Sequence, residues 1–189
     1  MRLLTIGCSL AFLTAIVAAQ APAPKTAAAT PGAATPAPKP AGTLAQIMRG
    51  IYFPNANLIF DVQQNDPGVP KKKSDSGSST DTYSSAYSEW EKVESAAIAL
   101  TDSVDLILKP GRTCQNGKPV PLEQADFQTF AAAMREAGRV TQQAARTKNQ
   151  EKVSDATNNI AEACSNCHEV YRDKGPADSQ ARCTPPPKK

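Results

Sequence analysis

The 189-residue chain is poor in histidine, in aromatic residues and in net charge. It holds one histidine and 5% aromatic residues, and 21 lysines and arginines stand against 18 acidic residues, which gives a formal net charge of +3. A balance this even gives no support for binding to nucleic acid or to a membrane surface. No general base lies beside an exposed nucleophile in the sequence, so we do not expect an enzyme.

Long apolar runs are also absent, except in residues 1–19. There Arg2, the apolar stretch 3–17 and the small residues 17–19 predict a secretory signal peptide. The run is short for a membrane span, which needs about 20 apolar residues, so we expect no span after cleavage. An uncleaved anchor is an alternative, and a lipoprotein signal at Cys8 fits less well because the apolar run follows Cys8. We therefore expect a periplasmic or otherwise exported protein.

Two segments have too little apolar content to form a core. Residues 20–42 are rich in alanine and proline and predict an extended linker. Residues 176–189 predict a polar C-terminal tail. The remaining residues, 43–175, are enough for one folded domain.

The domain contains no segment that alternates polar and apolar residues with period two, so we predict no strand. Thr43 is the expected N-cap of a first helix, and Pro54 predicts a kink or break within that helix. The polar stretch 63–81 predicts a loop. Long amphipathic helices with short connections predict an all-α fold, an antiparallel up-down-up-down four-helix bundle. The four predicted helices cover residues 43–64, 82–109, 121–148 and 150–174.

The most informative motif is Cys164-Ser-Asn-Cys167-His168, because it contains the only histidine. C-x-x-C-H is the attachment signature of c-type haem. On a helix the three side chains lie at i, i+3 and i+4 and therefore share one face. Both thiols can then bond the vinyl groups of one haem while the imidazole binds the iron. The motif predicts one covalently attached haem c near the C-terminus of the last helix.

Two other functions use a cysteine pair of this spacing. A thioredoxin-like redox pair requires a βαβ context with the pair at a helix N-terminus, whereas this pair lies deep in the last predicted helix. A zinc site would take further ligands from Cys114 and Cys183, and the sequence offers no second pair at zinc-ligand spacing. Both alternatives fit less well than haem.

The sixth iron ligand, if it is a side chain, is expected to be Met48 or Met134, the two methionines of the mature chain. At 1.5 Å per residue, His168 lies about 9 Å from the end of the last predicted helix, and Met48 roughly 8 Å into the first. Met134 lies roughly 20 Å into the third. These helix ends meet on one side of the bundle, so Met48 is the predicted ligand and Met134 is predicted to pack in the core. The alternatives for Met48 are that it lines the pocket without binding iron, or does neither.

The same arithmetic places Phe127, Leu100 and Val104 near the haem, where each side chain would serve equally well as core. Cys114 follows the second predicted helix and Cys183 follows the fourth, and both helices end at the same face of the bundle. A disulfide between Cys114 and Cys183 is therefore geometrically reasonable, with two free thiols as the alternative.

A C-terminal C-x-x-C-H-x-x-Y-R on the last helix of a four-helix bundle resembles cytochrome c′ and its low-spin relatives. The first predicted helix, with the sequence IMRGIYFPNANLIFDV, is similar to that of some members, and the resemblance extends over residues 43–174. It implies that the motif cysteines form thioethers and that His168 is the axial ligand, with Arg172 beside its imidazole. Met48 falls at the distal position of the family.

In this family an aliphatic distal residue accompanies a five-coordinate, gas-binding iron, and a methionine accompanies a six-coordinate electron carrier. The resemblance implies an exported monohaem cytochrome that transfers one electron between redox protein partners. The alternative is a five-coordinate haem protein that binds nitric oxide or carbon monoxide. Family members are often homodimers. Leu44 stands where the family often has an arginine, so the partner of the haem propionates is open, with Arg49 and Arg112 as candidates.

Overall fold

A computed structural model of the protein describes residues 38–69 and 89–185. The predicted signal peptide, the linker up to residue 37, residues 70–88 and the last four residues lie outside the described part. The described residues belong to one unit that begins at Pro38. No helix in these described ranges is long and apolar enough to cross a membrane.

The first helical segment is continuous but changes its winding along its length. It consists of α1 (Leu44–Ile47), a π-helical turn (Met48–Tyr52), α2 (Phe53–Phe60) and a 3₁₀ turn (Asp61–Gln63). Thr43 is its N-cap, as predicted. The Thr43 hydroxyl accepts a hydrogen bond from the Gln46 N–H, and the Gln46 side chain accepts one from the Thr43 N–H. This reciprocal capping box satisfies two backbone donors at the start of the helix.

Pro54 lies inside this segment and does not break it. Proline lacks an N–H, and in an α-helix its ring clashes with the carbonyl four residues back. The π-helical turn lies directly before Pro54, and the Phe53 N–H donates to the Met48 carbonyl, five residues back. A widened turn of this kind absorbs an interruption in the α-helical hydrogen bonds. The predicted interruption therefore takes the form of a local change in helix type.

Three further helical regions complete the bundle. They are α3 (Glu89–Asp102) with the single turn α4 (Val104–Ile107), then α5 (Ala125–Arg146) and α6 (Gln150–Tyr171). The predicted all-α four-helix bundle is confirmed. The described residues contain no β-strand, and an isolated bridge joins Thr113 to Pro119 in the loop between α4 and α5.

The start of α5 lies at Ala125, four residues after the predicted start at Pro121. The intervening residues form a turn in which the Gln124 N–H donates to the Pro121 carbonyl at 3.1 Å. Directly before this turn, the Val120 N–H donates to the Arg112 carbonyl at 3.0 Å. The backbone is thus tied to the preceding loop, and helical hydrogen bonds begin only beyond it.

The end of α6 lies at Tyr171, three residues before the predicted end. The N–H groups of Arg172 and Asp173 both donate to the His168 carbonyl, each at 2.8 Å, which closes the last turn. Gly175 follows with a φ of +87°, a left-handed conformation that glycine adopts without strain. Both α5 and α6 are therefore shorter at the end of the bundle that carries the C-x-x-C-H motif.

Contacts between helix ends establish the antiparallel order. Arg146 at the end of α5 forms an ion pair with Glu94 near the start of α3, with an N···O distance of 2.6 Å. Gln150 at the start of α6 donates to the Val62 carbonyl at the end of the first segment, at 2.8 Å. The four helical regions therefore run up, down, up and down, as predicted.

The core lies between the four regions and is mostly aliphatic. Leu100 and Val104 are fully buried within it. At the contact between α3 and α5, Gly138 allows close approach, because a Cβ on this residue would lie 3.1 Å from the Ala97 carbonyl oxygen. The largest fully buried side chains are Phe127, Ile59, Leu100, Ile160, Val62, Val93, Val104 and Val153.

Candidate functional site

The C-x-x-C-H motif lies in the last two turns of α6. Cys164, Cys167 and His168 all line one cavity of about 590 Å³. The cavity is enclosed by the first helical segment, α5, α6 and the loops that follow α4 and α6. Cavities of about 300–1,000 Å³ are typical of sites for cofactor-sized ligands. The structure therefore brings the three residues that share a face of α6 to a space large enough for a bound group.

The two thiols of the motif are free and half-buried. Burial raises the pKa of Cys164, and burial together with the neighbouring Cys164 raises the pKa of Cys167 to about 11. Reactive dithiols have the opposite property, a lowered pKa, and they lie at helix N-termini or beside cations. This pair lies near the C-terminal end of α6, which disfavours the thioredoxin-like alternative.

His168 is also half-buried on the same face of α6. Burial lowers the pKa of its imidazole, and the neighbouring Arg172 lowers it further. The neutral imidazole is therefore the favoured form near neutral pH. Neutral imidazole is the form that binds a metal ion, so the surroundings of His168 suit an iron ligand.

Both methionines of the bundle line the cavity, Met48 from the π-helical turn and Met134 from α5. Met134 is buried, with 6% of its surface exposed, as expected for a core residue. The sequence arithmetic placed it too far from the motif, because α5 begins at Ala125. Met134 is then about 14 Å into α5 and not roughly 20 Å. The position along the bundle is consequently a weaker reason than predicted for choosing Met48 over Met134 as the iron ligand.

An aromatic cluster closes the cavity beside the motif. Phe127 lines the cavity and is 2% exposed, and its ring packs edge-to-face against Tyr171 with centroids 5.2 Å apart. The Phe130 ring also packs edge-to-face against Tyr171, with ring centroids 6.3 Å apart. Phe127 thus lies at the cavity, and its position near a haem stays a prediction. Leu100 and Val104 are core residues and are not among those that line the cavity.

Three arginines were predicted near the haem, and the structure separates them. Arg172 lines the cavity and forms an ion pair with Asp173, which lowers the pKa of that carboxyl. Arg49 also lines the cavity. Arg112 does not: it is buried, and its guanidinium donates to the carbonyls of Leu106 and Gly42. Arg112 therefore joins the first segment to the α4 region and is not a partner for a bound group.

The C-terminal tail, predicted as a separate polar segment, forms part of the cavity wall. Cys183 forms a disulfide with Cys114, which confirms the pairing proposed from the sequence. The Cys183 N–H donates to the Tyr171 carbonyl at 2.9 Å. Asn116 donates from Nδ2 to the carbonyls of Ser179 and Arg182. The tail up to residue 185 is thus attached to both α6 and the loop after α4.

The sequence predictions missed several residues of the cavity. They include Tyr52, Asn116 and Arg182. Tyr52 follows Met48 by four residues, so helical spacing was a signal that could have found it. Asn116 and Arg182 lie in loops, and no periodicity in the sequence places a loop residue in a cavity.

The disulfide also bears on the zinc alternative. That alternative required Cys114 and Cys183 as additional metal ligands, and both sulfurs are already bonded to each other. Within the described ranges, no group of three or more histidine, cysteine, aspartate or glutamate side chains is placed to hold a metal ion. The paired cysteines therefore remove the ligands on which a zinc site would depend.

The motif helix and the helix before it fall within a match to a known family. The family model described as cytochrome c′ matches residues 118–172, which include α5, α6 and the whole C-x-x-C-H motif. The predicted resemblance to cytochrome c′ is confirmed. No curated protein and no solved structure matches the chain. The match leaves the first helical segment, which carries Met48, outside the aligned residues.

Cytochrome c′ proteins are typically non-enzymatic, and the family implies haem c as the cofactor. The residues present fit this group. Two free thiols and one imidazole share a helix face and line the same cavity, with aromatic side chains beside them. The match therefore supports a haem c-type cytochrome, and the cavity of this chain has the donor set that such a protein requires.

Proposed function

We propose that this protein is an exported monohaem c-type cytochrome that transfers one electron at a time between larger redox proteins. The observation that carries the proposal is the placement of Cys164, Cys167, His168 and Met48 around one cavity. The chain contains one C-x-x-C-H motif and one histidine, which supports one haem per chain.

The residues of the motif have separate roles in this proposal. Cys164 and Cys167 would hold the haem through two thioethers, each formed when an Sγ–H adds across one vinyl double bond and the proton goes to the other vinyl carbon. This addition needs no external oxidant or reductant. The neutral imidazole of His168 would bind the iron. When bound, haem supplies an iron centre that changes between the ferric and the ferrous state.

Other side chains of the cavity favour electron transfer over ligand binding. Met48 would be available as a second iron ligand, and methionine–histidine ligation raises the reduction potential of haem. Phe127, Ile107 and Ala131 are buried in the cavity lining and keep water from the bound group. Restricted solvent access and a methionine ligand are both features that tune a haem for carrying electrons.

The alternative is a five-coordinate haem protein that binds nitric oxide or carbon monoxide. One observation favours it: Met48 begins a π-helical turn whose winding differs from that of an ordinary helix. Side chains in such a turn point in directions that α-helical spacing does not predict. If Met48 does not bind the iron, that position would be open to a small ligand.

Export is supported by two independent features. Residues 1–19 have the composition of a signal peptide. The Cys114–Cys183 disulfide is typical of an oxidising compartment such as the periplasm. Redox proteins are the expected partners, nucleic acid is not, and no membrane span is expected after cleavage. A homodimer is the assembly that the family resemblance suggests.

Visible absorption spectra test the proposal directly. The protein is produced with haem-maturation machinery, and spectra are recorded in the ferric state, the ferrous state and the ferrous state with carbon monoxide. We expect covalently bound haem with a low-spin spectrum that carbon monoxide does not change. A high-spin spectrum that shifts with carbon monoxide would favour the gas-binding alternative. Absence of covalently bound haem would exclude both functions.

A further inference from the structure

The cationic residues that line the cavity differ in their partners. They are Arg49, Arg172 and Arg182, and no aspartate or glutamate of the described residues lines the cavity with them. Arg172 is paired with Asp173 through two hydrogen bonds, of 2.6 and 3.1 Å. Its charge is therefore already balanced by a carboxylate.

Arg49 and Arg182 have neutral hydrogen-bond partners instead. Nη2 of Arg49 donates to Oε1 of Gln115 at 2.6 Å. Arg182 donates from Nε and Nη2 to the Gly175 carbonyl, at 3.1 and 2.6 Å. Asp173 is near enough to Arg182 for its pKa to be lowered, but Arg172 is the main cause. Neither Arg49 nor Arg182 forms an ion pair with a carboxylate of the described residues.

These two arginines belong to one connected surface, which we call the polar wall: Arg49, Gln115, Asn116 and Arg182. Arg49 donates a hydrogen bond to Gln115. The adjacent residue, Asn116, donates one to the backbone carbonyl of Arg182 at 3.0 Å. The disulfide joins the two parts of the wall, because Cys114 directly precedes Gln115 and Cys183 directly follows Arg182. The disulfide thus fixes the tail that carries Arg182 against the loop that carries Gln115 and Asn116.

We propose that the polar wall binds the two propionate carboxylates of the haem, with Arg49 and Arg182 as its charged groups. This inference rests on the proposed haem cofactor. In haem the propionates lie on the edge opposite the vinyl groups, which the two motif cysteines of α6 would hold. The polar wall comes from the first helical segment and two loops, not from α6. Guanidinium groups are well suited to carboxylates, because they can donate two parallel hydrogen bonds.

The polar wall also supplies positive charge, which Leu44 cannot provide. Leu44 is apolar and lines the cavity at the start of α1. With no charged group there, two carboxylates entering the cavity would depend on other cations for compensation. Two guanidinium groups whose hydrogen-bond partners are neutral match two propionates in charge and in number. The C-terminal tail is therefore a binding element of the site and not only a cover.

The test measures the reduction potential of the holoprotein as a function of pH. The variants are R49Q, R182Q and the double variant, and R139Q is the control. Arg139 is paired with Glu136 on α5 and does not line the cavity. Loss of a guanidinium partner makes a propionate easier to protonate. The pH at which the potential changes should therefore rise by about one pH unit or more in R49Q and R182Q. The variant R182K keeps the positive charge but loses the parallel pair of hydrogen bonds, so its profile should lie between those of the wild type and R182Q.

The outcomes separate this inference from the proposed function. Haem attachment is checked first on a denaturing gel, where covalently bound haem stays with the chain. If the wild-type protein carries no attached haem, both the proposed cytochrome function and the propionate site are overturned. Attached haem, with profiles of R49Q, R182Q and the double variant that coincide with that of R139Q, would overturn the propionate site alone.

Discussion

The hydroxyl of Tyr171 donates a hydrogen bond of 2.6 Å to the carboxylate of Asp126, which joins the last residue of α6 to the first turn of α5. The Tyr171 ring also packs against Phe127, the next residue of α5. Cys167 and His168 lie one turn before Tyr171 in α6. The contact between Tyr171 and Asp126 therefore fixes the end of the motif helix against α5, the neighbouring helix of the cavity.

Replacing Tyr171 by phenylalanine should destabilise the fold measurably. The change removes a hydrogen bond to a carboxylate and leaves the ring in place. A loss of about 1.5–3 kcal/mol in the free energy of unfolding is expected, measured by denaturant titration. Y52F is the matched control, because the hydrogen-bond partners of the Tyr52 hydroxyl are neutral: the Leu100 carbonyl at 3.4 Å and the Ser103 side chain. Equal losses in the two variants would contradict the importance of the Tyr171–Asp126 bond.

The two described tyrosines should also ionise late in alkaline titration. Burial is the largest cause that raises the pKa of both Tyr52 and Tyr171 above the usual value of 10.0. Their folded-state pKa is raised, so the resulting stability is present below pH 10 and is lost as pH rises further. We expect the free energy of unfolding to fall above pH 10, followed by circular dichroism. Near-ultraviolet absorbance should show a late phenolate phase that is reduced in both Y52F and Y171F.

The two methionines of the cavity can be distinguished by substitution. If Met48 binds the iron, M48A should convert the ferrous protein to a form that binds carbon monoxide. M134A should leave the spectrum low-spin and lower stability by about 2–5 kcal/mol, because it creates a cavity in the core. The spectra with and without carbon monoxide check both expectations. The reverse pattern would assign the ligand to Met134.

The Cys114–Cys183 disulfide should make a large contribution to stability. It closes a loop with a sequence separation of 69 residues. When both cysteines are replaced by serine, the chain-entropy model predicts that the free energy of unfolding falls by about 4 kcal/mol. Denaturant titration of the C114S/C183S holoprotein measures this loss. Reducing agent provides the control: it should lower the stability of the wild type and leave the double variant unchanged.

Two helical glycines should respond in opposite directions to alanine. At Gly138 a Cβ would clash with the Thr101 hydroxyl and lie 3.1 Å from the Ala97 carbonyl oxygen, so G138A should cost about 1–3 kcal/mol. At Gly50 a Cβ would meet nothing within 4 Å, so G50A should stabilise by about 0.5–1 kcal/mol. Thermal melting of the two variants measures the difference. A neutral G138A would mean that α3 and α5 can separate without cost.

Several features of the fold and site could be predicted because they are local. Thr43 and Gln46 form the capping box within one turn, and Pro54 marks an interruption where the winding changes. Cys164, Cys167 and His168 share a face because their spacing fixes this in any α-helix. The C-x-x-C-H motif therefore indicated the haem chemistry before any tertiary contact was known.

Features that depend on helix register could be predicted only in part. Met134 was placed too far along α5, since the turn before Ala125 delays the start of that helix. Arg112 is next to the cysteine loop in sequence, yet its guanidinium is used by two backbone carbonyls. Helix starts and buried hydrogen bonds of this kind follow from competition between tertiary contacts and local propensity.

The sequence by itself determined the class of the fold and the attachment motif, and it left the pairing of Cys114 with Cys183 as one of two alternatives. Periodicity and spacing act within one helix, so the chemistry of α6 could be derived from nine residues, Cys164 to Arg172. Only the tertiary structure decided which distant groups complete the cavity. Met134 enters it from α5, and Asn116 and Arg182 enter it because the loop after α4 and the tail are packed together and joined by the disulfide. Contacts of this kind join residues far apart in the chain, and no short-range pattern in the sequence encodes them.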